Sequence, residues 1–137
     1  MILVSACLAG IKCKYDGGDN KCDKVVELVK KGLAIPVCPE QLGGLSTPRN
    51  PAEIVGDQVI SNRKIDVTEN FQKGAEETLK IAQMIGCKKA ILKQCSPSCG
   101  FGEIYDGSFS GIIKSGNGIT AELLAENGIE IITEEEL

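Results

Sequence analysis

The chain predicts an α/β fold: a mostly parallel, Rossmann-like sheet flanked by helices, with antiparallel hairpins inserted. Three observations carry this. Short apolar runs bounded by turn residues alternate with stretches of helical periodicity. The helical stretches end on glycine, at Gly32, Gly86 and Gly128. Two Gly/Asp turn signals, Gly56-Asp57 and Asp106-Gly107, sit between strand-like runs, as in hairpins.

Ile2-Leu3-Val4-Ser5-Ala6 reads as the first strand and delivers Cys7 at its end. A loop holding Cys13 closes in Tyr15-Asp16-Gly17-Gly18. Asp23–Lys31 follows as a helix with Val25, Val26, Leu28 and Val29 on one face. Leu33–Val37 is the second strand, ending in Cys38-Pro39-Glu40-Gln41; Pro36 suits it to an edge or a strand start. After an irregular loop over 43–51, a hairpin pairs 52–55 with 58–61. Thr68 is positioned to cap a long helix to Ile85. Ala90–Lys93 is a buried strand, and Pro97 forces the chain out of regular structure just beyond it. A second hairpin joins 103–105 to 108–110. Thr120 caps a last helix to Asn127, and 129–132 closes the sheet. With no linker or repeat, residues 1–137 read as one domain.

Composition narrows the function. The net charge is −4 and the basic residues form no stripe, which argues against a nucleic-acid partner and for a small molecule. The apolar runs are too short to span a bilayer, and the start lacks a charged n-region, so the expected compartment is the cytoplasm. Seven cysteines and no histidine are the unusual feature. An odd count in a reducing compartment speaks against a disulfide framework. Without imidazole, chemistry falls to thiols, carboxylates and hydroxyls, or to a cofactor that they hold; cysteine-only ligation suits soft metals and iron–sulfur clusters.

In open parallel sheets, ligands sit beyond the carboxyl ends of the strands. Cys7, Cys38 and the Cys95/Cys99 pair all lie just past such ends, so thiols remote in sequence could meet in one crevice. Cys13 and Asp16, in the neighbouring loop, could line it. Cys22 and Cys87 have no such context and read as packing residues. Glu40 is a candidate acid or base beside the crevice. Ser96 and Ser98 could act as nucleophile, proton relay or substrate hydrogen-bond partner. Gly116-Asn117-Gly118 precedes a helix start, where an anion could bind.

These motifs resemble a known family. Ser5-Ala6-Cys7-Leu8-Ala9-Gly10 with Cys13 and Tyr15-Asp16-Gly17, then Val37-Cys38-Pro39-Glu40-Gln41-Leu42-Gly43-Gly44-Leu45, Thr47-Pro48-Arg49, Asp66-Val67-Thr68, Ser96-Pro97-Ser98-Cys99-Gly100 and Ile104-Tyr105-Asp106-Gly107 are similar, in order, to the small thiouracil desulfidases. The likeness spans essentially the whole chain. It implies an iron–sulfur enzyme with a [4Fe–4S] cluster held by Cys7, Cys38 and Cys99, one iron being left open for the sulfur of a thiopyrimidine. It also implies that Glu40 transfers protons and that Ser96 or Ser98 is the catalytic hydroxyl. Cys95 departs from the pattern, which usually has a polar or charged residue there. As a fourth ligand it would close the open iron and make the chain a non-catalytic metal or cluster-binding protein in sulfur or iron traffic. A third possibility is a nucleotide-binding α/β domain whose cysteines only pack.

Overall fold

A computed structural model describes residues 1–137. Along the chain come β1 (Ile2–Ser5), α1 (Asp23–Lys30), β2 (Ala34–Val37), α2 (Pro39–Leu42), β3 (Ala52–Val55), β4 (Gln58–Ser61), α3 (Thr68–Met84), β5 (Lys89–Leu92), β6 (Glu103–Tyr105), β7 (Ile113–Ser115), α4 (Ile119–Glu126) and β8 (Glu130–Thr133). Two 3-10 turns, Ala6–Ala9 and Glu134–Glu136, follow β1 and β8.

β2, β1, β5 and β8 form one parallel sheet in that spatial order. β3–β4 and β6–β7 are separate antiparallel hairpins. The α/β architecture expected from the alternating pattern is therefore present. Strand alternation sends residues to two faces. Leu3, Ala90, Leu92 and Ile131 pack with Ala82 of α3 and with Ala121 and Leu124 of α4. Val4, Ala34 and Ile91 pack with Val25 of α1 and with Leu8. Burial of each such branched side chain contributes about 1.5–3 kcal/mol, so both helical layers are tied to the sheet. A third cluster, Ile54, Val59, Phe71 and Ile104, fastens the two hairpins to α3. No helix is long and apolar enough to cross a membrane.

Pro36 lies on β2, an edge strand, where a missing N–H is tolerated. The three longer helices stop at left-handed Gly32, Gly86 and Gly128, as expected. Pro39, which the sequence pattern leaves unassigned, opens a helical turn, α2. Several local expectations are corrected. Thr68 does not cap α3: its Oγ1 accepts the Val59 N–H at 2.9 Å, and the Asp66 carboxylate receives the Thr68 N–H. Thr120 is wholly buried at the start of α4, with no partner for its hydroxyl, and Gly118 occupies the cap. The second hairpin has a wider tip than the Asp106-Gly107 signal implied, because residues 108–110 belong to the turn and β7 begins at Ile113.

Candidate active site

The order of the sheet explains how distant cysteines meet. β1 sits between β2 and β5, and the chain leaves all three at the same edge. The chain runs from β1 to β2 on one side and from β5 to β8 on the other, which opens a crevice between β1 and β5. Cys7 lies in the 3-10 turn after β1, Cys38 caps the turn after β2, and Cys99 lies in the loop after β5. All three line one cavity of about 580 Å³, together with Cys13, Glu40, Ser96 and Ser98. Every cysteine in the chain is unpaired.

The thiols differ in electrostatics. Burial pushes the Cys99 thiol up to about 12, although Ser5 and Ser98 hydrogen-bond to it. Burial also raises Cys7, against a hydrogen bond from Asn20. Cys13 and Cys38 share a hydrogen bond, which raises Cys13 and lowers Cys38 to about 6, helped by the Gln41 N–H. Cys7 and Cys38, like Cys7 and Cys99, are near enough for thiolate charges to oppose each other. A bound cation would draw these buried thiols into the thiolate form in which they act as ligands. No three Cys, Asp or Glu side chains converge on a single-ion site. The donor set is instead all thiol and spread around the cavity walls, which fits a multi-iron cluster better than one ion.

A polar relay adjoins the thiols. Ser98 Oγ donates to Glu40 Oε2 at 2.8 Å. Ser96 and Ser98 hydroxyls are 3.2 Å apart. Ser98 has one proton to give, and the 2.8 Å carboxylate contact outcompetes the 3.6 Å contact to Cys99 Sγ, so Ser96 donates to Ser98. Ser96 Oγ in turn accepts the Cys99 N–H at 2.7 Å. The other Glu40 oxygen accepts Arg49 Nε at 3.1 Å in a largely buried ion pair.

Backbone packing fixes these groups. A Cβ on Gly74 of α3 would come within 1.9 Å of the Pro39 carbonyl oxygen, so only glycine lets α2, and with it Glu40, sit against α3. Arg49 also donates to the carbonyls of Ser46 and Cys13 and to Thr47 Oγ1, which knits three loops to the site. The α4 N-terminus, read in the sequence as an anion site, is taken by the chain itself. Ile119 N–H donates to the Pro97 carbonyl, while Thr120 and Ala121 N–H donate to that of Ser98. Its dipole holds the serine loop.

Two expected lining residues lie elsewhere. Asp16 turns back on its own loop, accepting the Gly18 N–H and pairing with Lys14. Cys95 takes a left-handed backbone with φ of 70° and bridges to Ile104, outside the cavity lining. Cys22 and Cys87 pack into the two sheet faces. Conversely, Arg49 stood out in the sequence only as part of a motif, and Gln94, Lys93 and Glu134 did not stand out at all. Gln94 Oε1 accepts the N–H groups of Cys95 and Phe101, and its amide donates to the Phe101 carbonyl, which shapes the loop bearing Cys99. Glu134 accepts the Gln94 N–H at 2.7 Å and Lys93 Nζ at 2.8 Å. Burial alone would lower the Lys93 ammonium, but Glu134 raises it net. A Pro beside Ser is a visible sequence signal; a single Arg or Glu closing a loop from afar is not.

A parallel sheet that gathers thiols, a hydroxyl relay and a paired carboxylate at its carboxyl edge defines an α/β protein with its chemistry at the switch point. The chain belongs to the 2-thiouracil desulfurase family, whose description matches residues 2–136. It is 48% identical, over 147 residues, to the uncharacterized protein YbbK of Bacillus subtilis (strain 168), covering 100% of this chain and 97% of that one. It also superposes, with a TM-score of 0.94 and 43% identity, on the solved structure of the [4Fe-4S]-dependent thiouracil desulfidase TudS, covering 99% of this chain and 91% of that one.

Proposed function

We infer that the protein is a [4Fe–4S]-dependent desulfidase that converts thiolated pyrimidines of the 2- or 4-thiouracil type into uracil and hydrosulfide. One observation carries the reading: Cys7, Cys38 and Cys99 share a cavity with a Ser96–Ser98–Glu40 relay. These three cysteines would hold the cluster. The position of Cys95 outside the cavity lining favours three ligands over four, and so an enzyme over a closed carrier. When bound, the cluster supplies a soft Lewis-acidic iron for the thiocarbonyl sulfur.

The chain's own residues handle protons. The net reaction exchanges the C=S bond for C=O, taking up water and releasing hydrosulfide and a proton. Ser96, the half-buried outer hydroxyl, is the relay's contact with water and substrate. A proton taken there passes through Ser98 Oγ to Glu40 Oε2, the only acceptor-only group in the relay. Arg49 holds that carboxylate in line and offsets its charge. A positioned acid–base group of this kind contributes about 10²–10⁴-fold in rate. The substrate is a small molecule, in keeping with the absence of a basic stripe.

Anaerobic incubation of the cluster-loaded protein with 4-thiouracil tests this. Uracil and hydrosulfide should appear together in equal amounts. A fully loaded protein that releases neither would contradict the reading.

A further inference from the structure

Only five aromatic residues occur in the chain, three Phe and two Tyr. Three of them, Tyr15, Tyr105 and Phe109, line the cavity that holds the thiols. Tyr15 belongs to the loop after β1, while Tyr105 and Phe109 belong to the one β6–β7 hairpin, and the three are 41%, 38% and 39% exposed respectively. Half-exposed rings gathered at one cavity mark a ligand-binding surface; Tyr15 has the Lys14 ammonium over its ring at 5.6 Å, so Tyr105 and Phe109 carry most of that surface.

Phe109 is also held in an unusual backbone state, with φ of 57°. Glu53 on β3 explains how: its Oε1 accepts the N–H of Gly107 at 3.0 Å and that of Phe109 at 3.1 Å. The hairpin tip is pressed onto the same strand at Gly107, where a Cβ would lie 2.8 Å from the Ile54 carbonyl oxygen. Two independent contacts thus fix the tip of the β6–β7 hairpin, and Phe109 with it, against β3. Strain of this kind persists only where the surroundings impose it.

We propose that Phe109, with Tyr105 and Tyr15, forms the wall on which the planar ring of the substrate stacks, and that Glu53 is the positioning residue that sets this wall. The proposal rests on the desulfidase reading and adds to it the determinant of substrate class: a flat heteroaromatic ring rather than any thiocarbonyl. Stacking of a base on an aromatic side chain is sequence-tolerant and worth roughly five- to 150-fold per ring.

The test is steady-state desulfuration of 4-thiouracil by cluster-loaded variants, joined to uracil binding read by tyrosine fluorescence. Both tyrosines of this tryptophan-free chain line the cavity, so its near-ultraviolet emission reports on the wall alone. Phe109→Ala and Phe109→Leu should each raise KM about tenfold with kcat held within about twofold, while Phe109→Tyr stays near wild type. Glu53→Ala should behave like Phe109→Ala, whereas Glu53→Gln, which keeps the oxygen acceptor, should restore a near-wild-type KM. Equal KM for wild type, Phe109→Leu and a Phe109→Ala/Tyr105→Ala double variant, with desulfuration intact, overturns the wall and leaves the desulfidase reading standing. Saturable quenching by uracil that weakens about tenfold in Phe109→Ala, in a protein that releases no hydrosulfide, supports the ring site while removing the desulfidase reading. Absence of both quenching and turnover in the wild type overturns both.

Discussion

Ser98 Oγ and Glu40 Oε2 meet at 2.8 Å although 58 positions separate them in the chain. The contact joins the loop after β5 to the turn after β2, across the intervening strand β1. It places a carboxylate and a hydroxyl in the cavity that Cys99 and Cys38 also line.

If the relay acts as a unit, its members should fail together. Ser98→Ala and Glu40→Gln are each expected to lower kcat about 100-fold or more while cluster content is unchanged. The double variant should be little worse than the worse single one, because either change already breaks the path. Single-turnover hydrosulfide release from matched cluster-loaded samples measures this. Additive losses would mean that the two groups work separately.

Arg49 should matter for stability as well as rate. Its side chain is nearly enclosed and bonds four partners, so Arg49→Met removes the cation that Glu40 pairs with and three further hydrogen bonds. Removing one partner of a buried ion pair costs about 3–5 kcal/mol. Arg49→Lys keeps the charge but not the fork and should recover only part of this. Urea unfolding of the metal-free variants reads the difference.

The Lys93–Glu134 pair gives a pH signature. The folded-state ammonium lies above its ordinary 10.5, so the pair's contribution is complete below that value and fades as pH rises through the higher folded one. Glu134→Gln should therefore be less stable than wild type by about 1 kcal/mol at neutral pH, a modest figure because both groups are partly solvated. The gap should hold to about pH 10 and close above it. Thermal unfolding of both proteins across that range checks the sign.

Much of this arrangement was legible in the sequence, and for identifiable reasons. Cys7, Cys38 and Cys99 follow apolar runs cut short by Pro, Gly or Ser, and that punctuation marks strand ends locally. Glu40, Ser96 and Ser98 sit within the same punctuated stretches. What escaped was set by tertiary contact. The Thr68 hydroxyl was claimed by a strand amide, and that of Thr120 was buried by the loop α4 supports. Glu134 looked like part of a solvated acidic tail, but its carboxylate braces the loop after β5. Cys95 and Cys99 flank the same Ser-Pro-Ser turn, and Cys95 takes a left-handed backbone while only Cys99 lines the cavity.

The account stands most directly on which thiols hold iron. Anaerobic reconstitution with iron and sulfide, followed by metal and sulfide analysis, should give about four of each per chain for the wild type and for Cys95→Ser. Cys7→Ser, Cys38→Ser and Cys99→Ser should each lose the cluster or bind it in small and unstable amounts. Full loading of any of those three variants, or loss of the cluster in Cys95→Ser alone, would contradict the assignment.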